Sequence, residues 1–92
     1  MATFLTRIEL HSADAADYQR LHEEMAKKGF SRAIPDDNGV KYYLPTAEYY
    51  WEGNLSAEAV RQLADIAIAA TGKAGWVITA QWASASWRLP RA

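Results

Sequence analysis

The chain has 92 residues, half of them apolar and 12% aromatic, which fits one globular domain over residues 1–92 and excludes a disordered or two-domain chain. With no cysteine it has no disulfide, no thiolate nucleophile and no cysteine-ligated zinc. The formal net charge is -1, so the basic surplus of a dedicated nucleic-acid binder is missing.

Thr3 to Leu10 alternates, with Phe4, Thr6, Ile8 and Leu10 on one face and Leu5, Arg7 and Glu9 on the other, which predicts a half-buried strand. The opening MATFLTRIEL lacks a basic segment followed by an apolar run, and 66–70 is too short to cross a bilayer. A cytoplasmic location without membrane contact is therefore expected. Residues 12–29 read as a helix, capped by Ser12 or Asp14, striped by Tyr18, Leu21 and Met25, and ended by Gly29.

Phe30 to Ile34 reads as a second strand, and Pro35 to Gly39 as a turn centred on Asn-Gly. Val40 to Leu44 looks extended, either lengthening that hairpin or standing as a separate short strand. Pro45 interrupts it, and residues 47–52 resume as an aromatic strand. Ser56 caps a second helix, with Val60, Leu63, Ala64, Ala67 and Thr71 inside and Ile66, Ile68 and Ala70 widening the stripe. In the last strand, Trp76 to Trp82, one face carries Trp76, Ile78, Ala80 and Trp82 and the other Val77, Thr79 and Gln81. Residues 83–89 form a tail that Trp87 and Leu89 can dock.

This order predicts an α+β, ferredoxin-like β-α-β-β-α-β sandwich, with two helices on one face of a four-stranded antiparallel sheet. The reverse face should then lie bare, carrying Leu5, Arg7, Glu9, Glu48, Tyr50, Glu52, Val77, Thr79 and Gln81. A half-apolar open face suits a second subunit, another protein or a nucleic acid.

Glu9, Glu48 and Glu52 share that face if their strands are neighbours, and clustered carboxylates can bind a divalent metal or supply a general base. Solvated surface acids are the plainer account. His11 and His22 are eleven apart in sequence, a spacing that matches no metal motif, and His22 sits at the edge of an apolar helix face. Tyr50 is the one outward ring of the Tyr49-Tyr50-Trp51 run, flanked by two acids that would repel phosphate. Arg32 and Lys41 flank the hairpin, where ordinary surface charge is the simpler reading.

Three segments together resemble a known family: FLTRIELHSA at residues 4–13, EEMAKKGFSRAI from Glu23 to Ile34, and LPTAEYYWEGNLS from Leu44 to Ser56. They are similar to the GhoS-like family of small bacterial and phage-borne proteins, which includes a type V toxin–antitoxin antitoxin that cleaves its toxin's messenger RNA. The resemblance implies a ferredoxin-like fold, similar to the small CRISPR-associated nuclease of the adaptation complex. In those relatives an Asp near the end of the first strand is linked to metal binding, and Glu9 occupies the matching position. Basic residues of the family's first helix correspond to Arg20 and His22.

On this resemblance Glu9, His22 and Arg20 are the catalytic candidates, and Glu9 is also the candidate ligand for magnesium, although no cofactor is required. Arg7, Arg32 and Tyr50 are the candidate contacts to single-stranded RNA. Three functional expectations follow: a homodimerisation or interaction module using the open face, which the residues favour; an endoribonuclease; and a nucleic-acid binder without chemistry.

Overall fold

The computed structural model describes residues 1–92. The first strand, β1 (Ala2–Leu10), buries Phe4, Thr6, Ile8 and Leu10 and exposes Arg7 and Glu9, as its alternation requires. It is followed by α1 (Ala15–Lys27), β2 (Ala33–Pro35), β3 (Lys41–Tyr43), β4 (Glu48–Gly53), α2 (Ala57–Ala70) and β5 (Gly75–Trp82). The result is a small α+β structure with two helices and two antiparallel sheets, one of three strands and one of two. β1 is the middle strand of the larger sheet, in the order β4-β1-β5.

Asp14 caps α1: its carboxylate accepts from Asp17 N–H, and the Asp17 carboxylate accepts in turn from Asp14 N–H, both at 3.0 Å. Two otherwise orphaned backbone donors are thereby satisfied, and the Asp17 N–H holds the Asp14 carboxyl below its ordinary value. Just past the Lys28 cap, the chain turns out of the helix at Gly29, whose φ of 89° is costly for any residue with a Cβ. Ser56 caps α2 by accepting from Ala59 N–H.

The core lies between the helices and one face of the three-stranded sheet. Phe4, Leu21, Met25, Tyr49, Val60 and Ala64 are fully excluded from water there. Thr6, the one buried polar residue, is satisfied through its hydroxyl, 2.7 Å from that of Thr79. Most of the expected inner stripe of α2 is buried, but Ile66 is 53% exposed.

Three expectations need correction. First, the single four-stranded sheet is not formed. The expected strand at 30–34 stays beside β4 but is hydrogen-bonded to it only at Ser31, which exchanges both backbone hydrogen bonds with Tyr50. The chain then leaves β4 to pair with β3, so 41–43 belongs to the hairpin. The cause is local. Pro35 has no N–H to donate, while the Asp36 carboxylate accepts from Asn38 and Val40 N–H and closes the turn.

Second, the faces of β5 are opposite to those expected. Register pairs Arg7 with Ile78 and Glu9 with Trp76, and directly opposed residues share a face. Trp76 and Ile78 therefore point away from the helices, whereas Val77 and Thr79 join the packed side, where Val77 touches the core and Thr79 meets Thr6. α2 packs over this side with the small residues Ala64 and Ala67, a close approach that leaves no room for indole rings.

Third, the reverse face is not wholly bare. The tail leaves β5 and pairs with the free edge of β3, with Tyr43 N–H donating to Pro90 and Ala92 N–H to Lys41. Trp87 packs on Tyr42 at 5.8 Å, as a docked tail should. The tail and the hairpin turn thus border the open face at its Trp82 end.

Gly75 begins β5 where the chain runs against β1: a Cβ there would lie 2.9 Å from the Glu9 carbonyl oxygen. Neither backbone can yield without breaking the pairing. Gly75→Ala should therefore lower the unfolding free energy by about 1–3 kcal/mol, read from urea denaturation. An unchanged midpoint would show that the two backbones are not so closely set.

Candidate functional site

The bare end of the sheet is built from β1 and β5. Pairing places Arg7 beside Ile78 and Glu9 beside Trp76, and these four with Val77 line an open hollow of about 210 Å³. Trp76 is 68% and Ile78 66% exposed, the two most exposed large hydrophobic side chains after Met1. On the other side of β1, Arg7 is opposite Glu48 and Leu5 opposite Tyr50. The face is therefore an apolar band with Arg7, Glu9 and Glu48 along it. Tyr50 is half-buried and donates its hydroxyl to Glu52 at 2.9 Å. Burial, then the Glu52 carboxylate, pushes its pKa up to about 12, so it stays a neutral phenol.

Trp76 and Ile78 were not among the residues expected on this surface. Periodicity identified the two faces of β5 but not which one is packed; the pairing of Thr6 with Thr79 decides that.

The six candidate residues fall on two sides of the molecule. Arg7, Glu9 and Tyr50 belong to the open face. Arg20 and His22 belong to α1, and Arg32 follows the Ser31 bridge. Arg20 is exposed and paired with Glu24, whose other partner is Lys27. Glu9 is thus separated by the sheet from the ring of His22, which engages an inward-facing residue of β4. No three His, Cys, Asp or Glu side chains converge to hold a metal ion. Glu9 shares its hollow with Arg7 and apolar groups, a donor set that does not amount to a magnesium site.

His22 has a defined environment of its own. Its Nδ1 lies 2.6 Å from the hydroxyl of the fully buried Tyr49. Burial raises the Tyr49 pKa far above the ordinary phenol value, so the hydroxyl keeps its proton. It donates to Nδ1 when the neutral ring carries its proton on Nε2, and accepts from Nδ1 in the other tautomer. Burial, and secondarily the positive charge of Arg32, lowers the His22 pKa below 6.5. The neutral ring is therefore the folded form, and His22 reads as a packed, hydrogen-bonded group.

A depressed histidine pKa stabilises the fold fully above pH 6.5, and that contribution is lost as pH falls through the lower, folded-state value. Unfolding free energy should accordingly decline on acidification below pH 6.5. Tyr49→Phe, which removes the hydrogen-bond partner, should weaken stability by about 1 kcal/mol at neutral pH, and His22→Gln, which removes the titrating group, should flatten the decline. Denaturation across pH checks both, and an equally steep decline in His22→Gln would remove His22 as the cause.

No protein-family model matches the chain, and no curated protein matches it.

Proposed function

We propose that the protein is an interaction module whose open sheet face binds a second copy of the chain. The observation that carries this reading is the pair Trp76 and Ile78, 68% and 66% exposed side by side on a face that no helix covers. Exposed apolar patches of this kind mark contact surfaces. A second copy is favoured by charge: Arg7 and Glu9 lie on the same face, so a two-fold contact can set the cation of each copy against a carboxylate of the other. A chain this small also gains proportionally more from burying a second surface.

The strand order, with Ser31 bridging the outer edge of β4, supports a ferredoxin-like path interrupted by the β2–β3 hairpin. That path and the three sequence segments support placement near the GhoS-like family.

A second reading, an endoribonuclease acting on single-stranded RNA, draws on the hollow itself. It joins a guanidinium (Arg7), a carboxylate (Glu9) and an exposed indole (Trp76). These types can hold a phosphate, take a proton from a ribose 2′-OH and stack a base. Arg20 and His22 would stand outside that chemistry. The module reading is preferred because one cation on an apolar band is a poor match for a polyanion.

Light scattering at micromolar concentration should show a dimer that dissociates on dilution. Ile78→Lys should weaken the dimer about tenfold or more while leaving the circular dichroism spectrum unchanged. A monomer at every concentration would overturn the reading. Incubating the wild type and Glu9→Gln with mixed RNA tests the alternative, which requires cleavage by the first and not by the second.

A further inference from the structure

The tail and the hairpin enclose a separate cleft at the far end of the molecule. Its volume is about 390 Å³, within the range of small-ligand sites, and its walls are Pro35, Asp36, Asp37, Trp82, Trp87 and the tail backbone between the indoles. The tail forms an arch secured at both ends. Thr3 Oγ1 donates to the Trp82 carbonyl at one end, and Tyr43 and Lys41 bond Pro90 and Ala92 at the other. Between them, residues 83–89 make no hydrogen bond to the rest of the chain, so their carbonyl dipoles are unpaired. Each indole is steadied by a tyrosine: Trp82 by Tyr50 at 6.5 Å and Trp87 by Tyr42 at 5.8 Å.

The lining holds two carboxylates and two indoles and no cation. Its lining is acidic and aromatic, a combination that attracts a positive charge with an apolar skin. The carboxylates narrow the class further. Asp36 is largely committed, with Oδ1 accepting from Asn38 and Val40 N–H and Oδ2 facing the Tyr42 hydroxyl at 3.5 Å. Its oxygens are engaged, which leaves Asp37 as the one free carboxylate of the lining, a single acid beside two indoles rather than a pair of facing forks for a guanidinium. A quaternary ammonium needs no directed acceptor, only ring faces and negative potential.

We propose that this cleft binds an alkylated ammonium group, held between Trp82 and Trp87 and balanced by Asp36 and Asp37. The group is either a free small cation or the head of a methylated lysine on a peptide. The site adjoins the open face at Trp82 but uses none of the Arg7, Glu9, Trp76 and Ile78 surface.

Each of the four tryptophans gives one indole N–H resonance. Titrating the labelled protein with tetramethylammonium through the millimolar range should shift the Trp82 and Trp87 signals saturably and leave Trp51 and Trp76 in place. The neutral isostere 3,3-dimethyl-1-butanol should shift neither. Asp37→Asn, at an exposed turn position outside every hydrogen bond described above, should weaken binding, and Trp87→Ala should weaken it about tenfold. A trimethyl-lysine peptide that binds more tightly than tetramethylammonium identifies a peptide source, and equal affinity identifies a free cation. No saturable shift, equal shifts from the neutral isostere, or unchanged affinity in Asp37→Asn would overturn the proposal.

Discussion

The constraint on which the structure depends is that β1 is paired along both edges. A strand between two antiparallel neighbours fixes the face of every residue opposite it. Phe4, Thr6, Ile8 and Leu10 point to the helices, so Tyr49, Trp51, Val77 and Thr79 must as well. The other set, Leu5, Arg7 and Glu9, takes Tyr50, Ile78 and Trp76 with it. A one-residue slip between β1 and β5 would exchange Trp76 for Val77 at the core and force an indole beneath α2. The buried Thr6–Thr79 hydroxyl pair and the close contact at Gly75 oppose that slip. The binding face is therefore a consequence of core packing: the strand that best fills the interior with small side chains leaves its large ones outside.

Much of this was legible in the sequence because local signals agreed. The alternation of β1, the Asp14–Asp17 cap, the Ser56 cap and the Asn-Gly turn each carry their own physical cause within a few residues. The inward Tyr49 and Trp51 and outward Tyr50 followed from period two alone. What was not legible depended on distant partners. Both faces of β5 are apolar enough to be packed, and only register with β1 chooses between them. The divergence of the hairpin from β4 after Ser31 has local causes at Pro35 and Asp36, but whether they outweigh pairing with β4 depends on that distant strand, which residues 31–35 do not reveal. The arch made by residues 83–89 is held by its ends and carries no periodic pattern.

The same geometry explains why the candidate residues do not form one site. The resemblance grouped Glu9, Arg20 and His22 as catalytic candidates, but a sheet separates the side chains of its two faces. His22 is engaged by Tyr49 in its neutral form, near enough to Arg32 for that charge to depress its pKa. Glu9 remains with Arg7 and Trp76 across the sheet. The chain instead offers two unlike surfaces: an apolar face with balanced charge, and an aromatic cleft with acidic walls.

The most direct test of the account is a dilution series followed by methyl NMR. If the open face is a contact between copies, the Leu5 and Ile78 methyl resonances move together with concentration, while those of Val60, buried under α2, stay fixed. Concentration-independent Leu5 and Ile78 signals, or changes confined to the helix layer, would contradict it.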